Sequence, residues 1–269
     1  MLESPVSLKY ITPEEPNGWL SPSASKNTDW SEYYLNLEDP HWGFKSFNDF
    51  FTRAIRPEAR PIDSRSNSIV HSSDSSPLHF SSEIYGKNPS FNVQAESQFW
   101  LKDNEYSVYD MFGAEERGVK DLVDEHFVGG TVYQAILCPW YYHRWHAPVS
   151  GTIIKSYRIG CKYFMLNPSC GLGGLHEGIE NYVKSLPMLS MVSVRQVIII
   201  RIDDGSGRLV ALIEIGMTEV SSCCPTVEEG QYVNKGDQLG YFQYGGSSYA
   251  LVFDKDLELE FNPNIYIPN

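Results

Sequence analysis

Two runs of branched and aliphatic residues, Val192 to Ile202 and Leu209 to Ile215, are separated by little more than Asp203-Asp204-Gly205-Ser206-Gly207. β-Branched side chains favour the pleated backbone, and a short Asp/Gly/Ser segment between two such runs is hairpin chemistry. The pair commits this part of the chain to antiparallel sheet. Thr131 to Cys138, Gly151 to Arg158 and Lys162 to Leu166 have the same texture, again punctuated by turn residues. The longest aliphatic run, Val197 to Ile200, ends at Arg201 and is too short to span a bilayer. The stretch Ser169 to Pro187, with its GLGG cluster, is expected to be a flexible lid; it lacks the lysine and helix start of a phosphate cradle.

The first half reads differently. Residues 1–40 are polar, with prolines at 5, 13, 16, 22 and 40, and are expected to form an arm or short helices wrapped on the body formed by residues 41–269. Phe44, Phe47, Phe50 and Phe51 recur at helical spacing within FKSFNDFFTR, and Pro57 and Pro61 end that helix. Residues 62–110 read as short strands and turns anchored by Phe80, Phe91 and Phe99 to Leu101. Tyr106 to Phe112 and Val119 to Phe127 read as short helices. Ala147 to Ile153 and Val227 to Gly240 resemble the two halves of a biotinyl/lipoyl-type module without its carrier lysine hairpin. The fold expected is therefore α+β: mostly antiparallel β with barrel-sandwich (biotinyl/lipoyl-like) character, plus N-terminal and peripheral helices.

Charge bears on partners. A net charge of -13 repels phosphate backbones and anionic headgroups, so nucleic acid is not an expected partner. Met1 to Pro5 has neither a basic region nor an apolar core, so no signal peptide is expected, and no integral membrane segment. Five cysteines, an odd number without CxxC spacing, read as reduced thiols of a cytoplasmic protein.

Three segments carry chemistry-bearing side chains. CPWYYHRWHAPVSG places His143 and His146 three residues apart. Alone, this is two histidines packed on aromatics, or two zinc ligands for which His176 with Glu177 is the one candidate supplement. Tyr244 to Tyr249 reads YGGSSY and leads into an apolar strand, either as a plain tight turn or as an exposed nucleophile. It lacks the glycine spacing of a hydrolase elbow. VHSSDS, Val70 to Ser75, presents Asp74, a loop aspartate unless it orients a histidine.

Together these segments resemble the phosphatidylserine decarboxylase family. FNDFFTR with RPEARPID is similar to its N-terminal signature. Ser73-Asp74-Ser75 falls where the family has Pro-Ala-Asp-Gly, with Ser75 replacing the glycine. YYHRWHAPVSGTI resembles DYHRxHxPxxG, GCKYFMLNP a strand that follows it, and GYFQYGGSSYALVFDKD the terminal self-cleavage segment. The motifs occur in the family's order from Phe44 to Asp256.

The resemblance implies self-cleavage between Gly246 and Ser247. Ser247 attacks the Gly246 carbonyl, and elimination through dehydroalanine leaves a pyruvoyl cofactor on a 23-residue C-terminal chain. It implies that His146 is the general base, that Asp74 orients it as in a Ser-His-Asp triad, and that Ser248 is a conceivable helper. The pyruvoyl carbonyl would form a Schiff base with a substrate amine and release carbon dioxide, with His143 returning a proton; no metal is implied. NGWLS, FVGGTVYQA and YHRWHAPVSGTI are similar to the soluble fungal branch that includes tryptophan decarboxylase. The substrate expected is thus a free, aromatic amino acid, with phosphatidylserine the alternative. The partners expected are this small-molecule amine, the cleaved C-terminal chain and, as an open alternative, a second copy of the chain. A binding module with the same fold and no cofactor, and a zinc hydrolase built on the two histidines, are the competing classes.

Overall fold

The structure, a computed structural model, describes residues 1–77, 90–92, 98–101, 104–113, 115–116, 118–138, 140–160, 185, 188–217, 222–243 and 247–262. Its strands are β1 (Ser76–Pro77), β2 (Ser90–Asn92), β3 (Gln98–Leu101), β4 (Asn104–Ser107), β5 (Thr131–Leu137), β6 (Arg144–His146), β7 (Gly151–Ile159), β8 (Arg195–Ile202), β9 (Leu209–Gly216), β10 (Ser222–Pro225), β11 (Tyr232–Val233), β12 (Gln238–Gln243) and β13 (Ser247–Phe253). The main sheet runs β1-β5-β13-β9-β8-β7-β11, with β2 also on β5; β10-β12-β6 form a second sheet and β3-β4 a third. The neighbours pair antiparallel. The hairpin expected at residues 203–207 joins β8 to β9.

The architecture is mixed and mostly antiparallel. Among the described residues the main sheet is open, ending at β11 on one side and at β1 and β2 on the other, so it is not a closed barrel. The two biotinyl-like segments do pair. β11 lies on β7, Ala147 exchanges backbone hydrogen bonds with Gly236 and Asp237, and Ile153 with Gly230 and Gln231. Gly236 makes the turn at φ 90°, a region that favours glycine. Gly240 admits the Trp145 ring, which a Cβ there would meet at 2.5 Å.

Strand alternation splits the core. One face gathers Tyr133, Ala135, Leu137, Ile198, Ile200, Val210, Leu212, Tyr249, Leu251 and Phe253 under the second sheet's Trp145, Cys223 and Phe242. The other face gathers Val132, Val197, Ile199, Ala211, Ile213, Ile215, Ala250 and Val252 under Met111, Phe112, Val123 and Phe127. The helix expected over Phe44 to Arg53 is shorter, Phe47–Phe51, because Ser46 caps it by accepting from Asp49 N at 3.1 Å. Phe44 and Phe50 pack with Ile11 and Leu20 of the arm. The expected helix at Tyr106 begins at Val108, since Tyr106 lies in β4; Val119–Leu122 continues into a wider turn, Val123–Phe127. The strand expected at Lys162 to Leu166, the anchor at Phe80 and most of the lid expected at Ser169 to Pro187 lie outside the described residues. No described helix is long and apolar enough to cross a membrane.

Candidate active site

Ser247 is the first residue of β13, an interior strand. It pairs with Leu137 of β5 on one side and Gly216 of β9 on the other. All seven residues of β13 are buried. The Ser247 hydroxyl is sealed from solvent and has no hydrogen-bond partner among the described residues. A buried hydroxyl left unpaired costs about 1–3 kcal/mol, a cost that the buried hydroxyls of Ser193 and Ser248 also carry. By alternation Ser247 shares the face of Tyr249 and Leu251, whereas Ser248 faces Ala250 and Val252. The two serines thus serve opposite sides of the sheet, and Ser248 is not beside its neighbour's hydroxyl. Gly246 lies outside the described residues.

The chain leaves β5 at Leu137, opposite Ser247, and loops to the two histidines. His143 is fully buried against Phe51, ring centroids 4.2 Å apart. Its Nδ1 is 2.8 Å from the Tyr141 carbonyl, which requires Nδ1–H and leaves Nε2 a bare acceptor with no partner. Burial, reinforced by the Arg53 charge, holds its pKa down to about 3, so the ring is neutral. The His143 carbonyl accepts from Phe242 N on β12, the strand that precedes Ser247.

His146, on β6, is half-buried. Its Nδ1 lies 2.8 Å from the Gly236 carbonyl and its Nε2 2.9 Å from the Tyr142 hydroxyl. Burial lowers its pKa too. The expected Asp74–His146 hydrogen bond is not formed. Arg60 Nε and Nη2 hold both Asp74 oxygens at 2.8 and 2.7 Å, and Arg60 also grips Glu32 of the arm at 2.8 and 3.0 Å. A guanidinium fork offers a carboxylate two charge-assisted bonds where an imidazole offers one. Among the described residues no three His, Cys, Asp or Glu side chains converge as metal ligands; His176 and Glu177 lie outside them.

A cleft of about 270 Å³ opens beside this ion pair, lined in part by Asp29, Glu32, Tyr33, Arg60, Asp74 and Tyr141. Tyr141 connects it to the interior through its bond to His143, and Ser75 through its hydroxyl, 3.3 Å from that of Tyr249. The Tyr249 and Tyr133 hydroxyls both meet Nδ1 of solvent-exposed His71 at 3.2 Å.

Sequence reading passed over Glu214. It is fully buried on β9 across from Tyr249, accepts from Ser72 Oγ at 3.2 Å, and has a second oxygen with no partner. The Ser72 carbonyl in turn accepts from His146 N at 2.8 Å. The signal was in LVALIEIG: one carboxylate inside an otherwise apolar strand.

Comparison with known proteins gives these findings. A family model described as phosphatidylserine decarboxylase matches residues 47–267. Decarboxylase iboD of Amanita muscaria is 35% identical over 97% of this chain and 75% of its own length. L-tryptophan decarboxylase of Psilocybe cubensis is 35% identical over 82% of this chain and 49% of its own. Phosphatidylserine decarboxylase proenzyme 2 of Oryza sativa subsp. japonica is 31% identical over 96% of this chain and 38% of its own. The chain therefore spans about half the length of the first tryptophan decarboxylase, and less of the rice protein.

Proposed function

The chain belongs to the phosphatidylserine decarboxylase family of carboxy-lyases, and on that premise we propose that it cuts itself between Gly246 and Ser247, turns Ser247 into a pyruvoyl group, and decarboxylates a free amino acid. The observation that carries this reading is the place of Ser247 at the start of an interior strand, its buried hydroxyl on the sheet face that packs under β6, the strand that bears His146. A group made from Ser247 suits that place: the released strand stays paired on both edges, and His143 Nε2 is a second orphan atom reached from the loop after β5. The pyruvoyl group would supply an electron-withdrawing carbonyl for the carbon that loses carbon dioxide.

The protein's own residues divide the remaining work. His146 is the proposed base for Ser247 and Asp74 the carboxylate that orients it, roles that require the Tyr142–His146 and Arg60–Asp74 contacts to open. His143 is neutral with Nε2 bare, so it takes a proton before it returns one to the substrate. Residues 41–269 are read as the decarboxylase domain and 1–40 as an arm that contributes Glu32 to the cleft. The paired biotinyl-like segments are read as framework, giving a sandwich without a carrier role.

The proposed substrate is a free aromatic amino acid such as tryptophan. Tyr33, Trp140 and Tyr141 offer ring surfaces in the cleft, and Asp29, Glu32 and Asp74 outnumber Arg60, which favours an ammonium over an anionic headgroup. The fungal relatives named tryptophan decarboxylase support this choice. The relatives named phosphatidylserine decarboxylase support phosphatidylserine as the second reading. Intact-mass measurement under denaturing conditions tests the first step: a residue 1–246 fragment and a pyruvoyl-blocked 23-residue peptide are expected. A single full-length mass would favour an unprocessed binding module. Carbon dioxide release from tryptophan against phosphatidylserine vesicles separates the two substrates.

A further inference from the structure

Glu214 has no task in the scheme above, yet few positions in the protein are less hospitable to a carboxyl group. It is fully buried, held on one oxygen by Ser72, and has Oε2 without a partner. Burial pushes its pKa well above the usual carboxylate range, which favours the protonated acid. Among the described residues the titratable groups packed near it are Tyr249 on β13 and Cys223 on β10, both raised by burial, and no cation among them favours its ionised form.

The strand register sets this acid diagonally beside Ser247. The β9 residue directly across from Ser247 is Gly216, which has no side chain. The next β9 side chain on the same face is Glu214, diagonal to Ser247. Diagonal neighbours in an antiparallel pair lie about 7–8 Å apart, within reach of a long side chain.

We propose that Glu214 delivers the proton that turns the Ser247 side-chain carbon into a methyl group during maturation. This rests on the self-processing reading. After Ser247 Oγ has displaced its own amide nitrogen to form an ester, the hydroxyl proton going to that nitrogen, elimination passes the Cα proton to His146, the base proposed for Ser247, and breaks the Cβ–Oγ bond, the electron pair leaving with the Gly246 carboxylate. A Cα=Cβ double bond then carries the free amine. Glu214 gives its Oε2 proton to Cβ, completing the methyl group, and regains a proton lost by the nitrogen as that nitrogen becomes an imine. Water then replaces the nitrogen, releasing ammonia and leaving the ketone. Atoms and electrons balance with water as the one co-reactant.

Cleavage and ketone formation are then separable. Full-length chain made by cell-free translation is sampled over time; a denaturing gel reads cleavage, and a hydrazide probe reads ketone on the C-terminal peptide. In the wild type the two curves should coincide. In Glu214→Gln cleavage should proceed while hydrazide labelling lags, its rate falling at least roughly tenfold, as for loss of a positioned acid. Coincident curves in Glu214→Gln beside a normally maturing wild type would overturn the assignment. So would a folded Glu214→Gln, by near-ultraviolet circular dichroism, that fails to cleave, since Glu214 would then act earlier. If Glu214→Gln does not fold, Glu214→Asp carries the test, keeping the acid one methylene short: a lag supports the assignment and coincidence overturns it. A wild type that never cleaves removes the self-processing premise itself.

Discussion

After cleavage β13 would belong to a separate chain, and Leu251 offers a measure of what retains it. Leu251 is 3% exposed and lies between Tyr133 of β5 and Leu212 of β9. Truncating a buried leucine to alanine costs about 2–5 kcal/mol, through lost burial and the cavity left behind. In an uncleaved chain this cost falls on stability. In a matured protein it falls on the affinity between the two chains, where about 1.4 kcal/mol is tenfold. Leu251→Ala should therefore loosen the peptide roughly 30- to 4000-fold, whereas Lys255→Ala, at an exposed site just past the strand, should leave it within about twofold. The assay is gel filtration of matured protein across a dilution series, with intact mass read in each fraction. Wild-type and Lys255→Ala peptides should travel with the large chain throughout; the Leu251→Ala peptide should separate at the lower concentrations. Equal retention of all three would refute the reasoning, because β13 would not then depend on burial of its interior face.

Ser247→Ala should leave a single 30.5 kDa chain on a denaturing gel and no carbon dioxide release. His143→Ala should cleave yet decarboxylate at least about a hundredfold more slowly; failure to cleave would undo the division of labour between the histidines. The His143 pKa is held near 3 in the folded state, so the unfolded chain binds more protons below its ordinary value of 6.5. The stability this ring contributes is whole above that pH and lost as pH falls, by up to about 1.4 kcal/mol per pH unit, levelling near pH 3. His143→Gln should accordingly flatten the fall in Tm between pH 6.5 and 4.5, and an unchanged slope would exclude His143 as its source. Asp29→Asn with Glu32→Gln should raise KM for an aromatic amino acid with little change in kcat; KM and kcat both unchanged would place the cleft outside the substrate path.

The long strands β5, β7, β8 and β9 were legible because pattern and packing agree. The β8–β9 hairpin follows from aliphatic runs around an Asp/Gly/Ser turn, and the pairing of β11 with β7 from two segments that resemble matching halves of one module. Site partners were less legible, because they depend on competition in space. Nothing in VHSSDS says that Arg60 reaches Asp74 with a two-pronged grip before His146 can. Nothing in the HxxH spacing says that His146 has both nitrogens engaged while His143 keeps one bare. The opposite facing of Ser247 and Ser248 was within reach, since alternation along a strand needs only the strand to be recognised. Glu214 was visible as a charge in an apolar run, but its diagonal relation to Ser247 needs the register of β9 against β13.

The placement of β13 between β5 and β9 also governs when the molecule can finish folding. As the chain emerges from the ribosome, β8 and β9 can close their hairpin at once. β5 can pair with the earlier β1 and β2, but its other edge waits for a partner made roughly 110 residues later. Until then the facing edges of β5 and β9 are open, the condition in which nascent chains stick to one another. The same late strand brings in Ser247. The residue proposed to cut the chain thus arrives with the segment that fills the gap between β5 and β9, and a half-made chain lacks the one nucleophile assigned to the cut. Synthesis order alone would keep maturation from outrunning assembly.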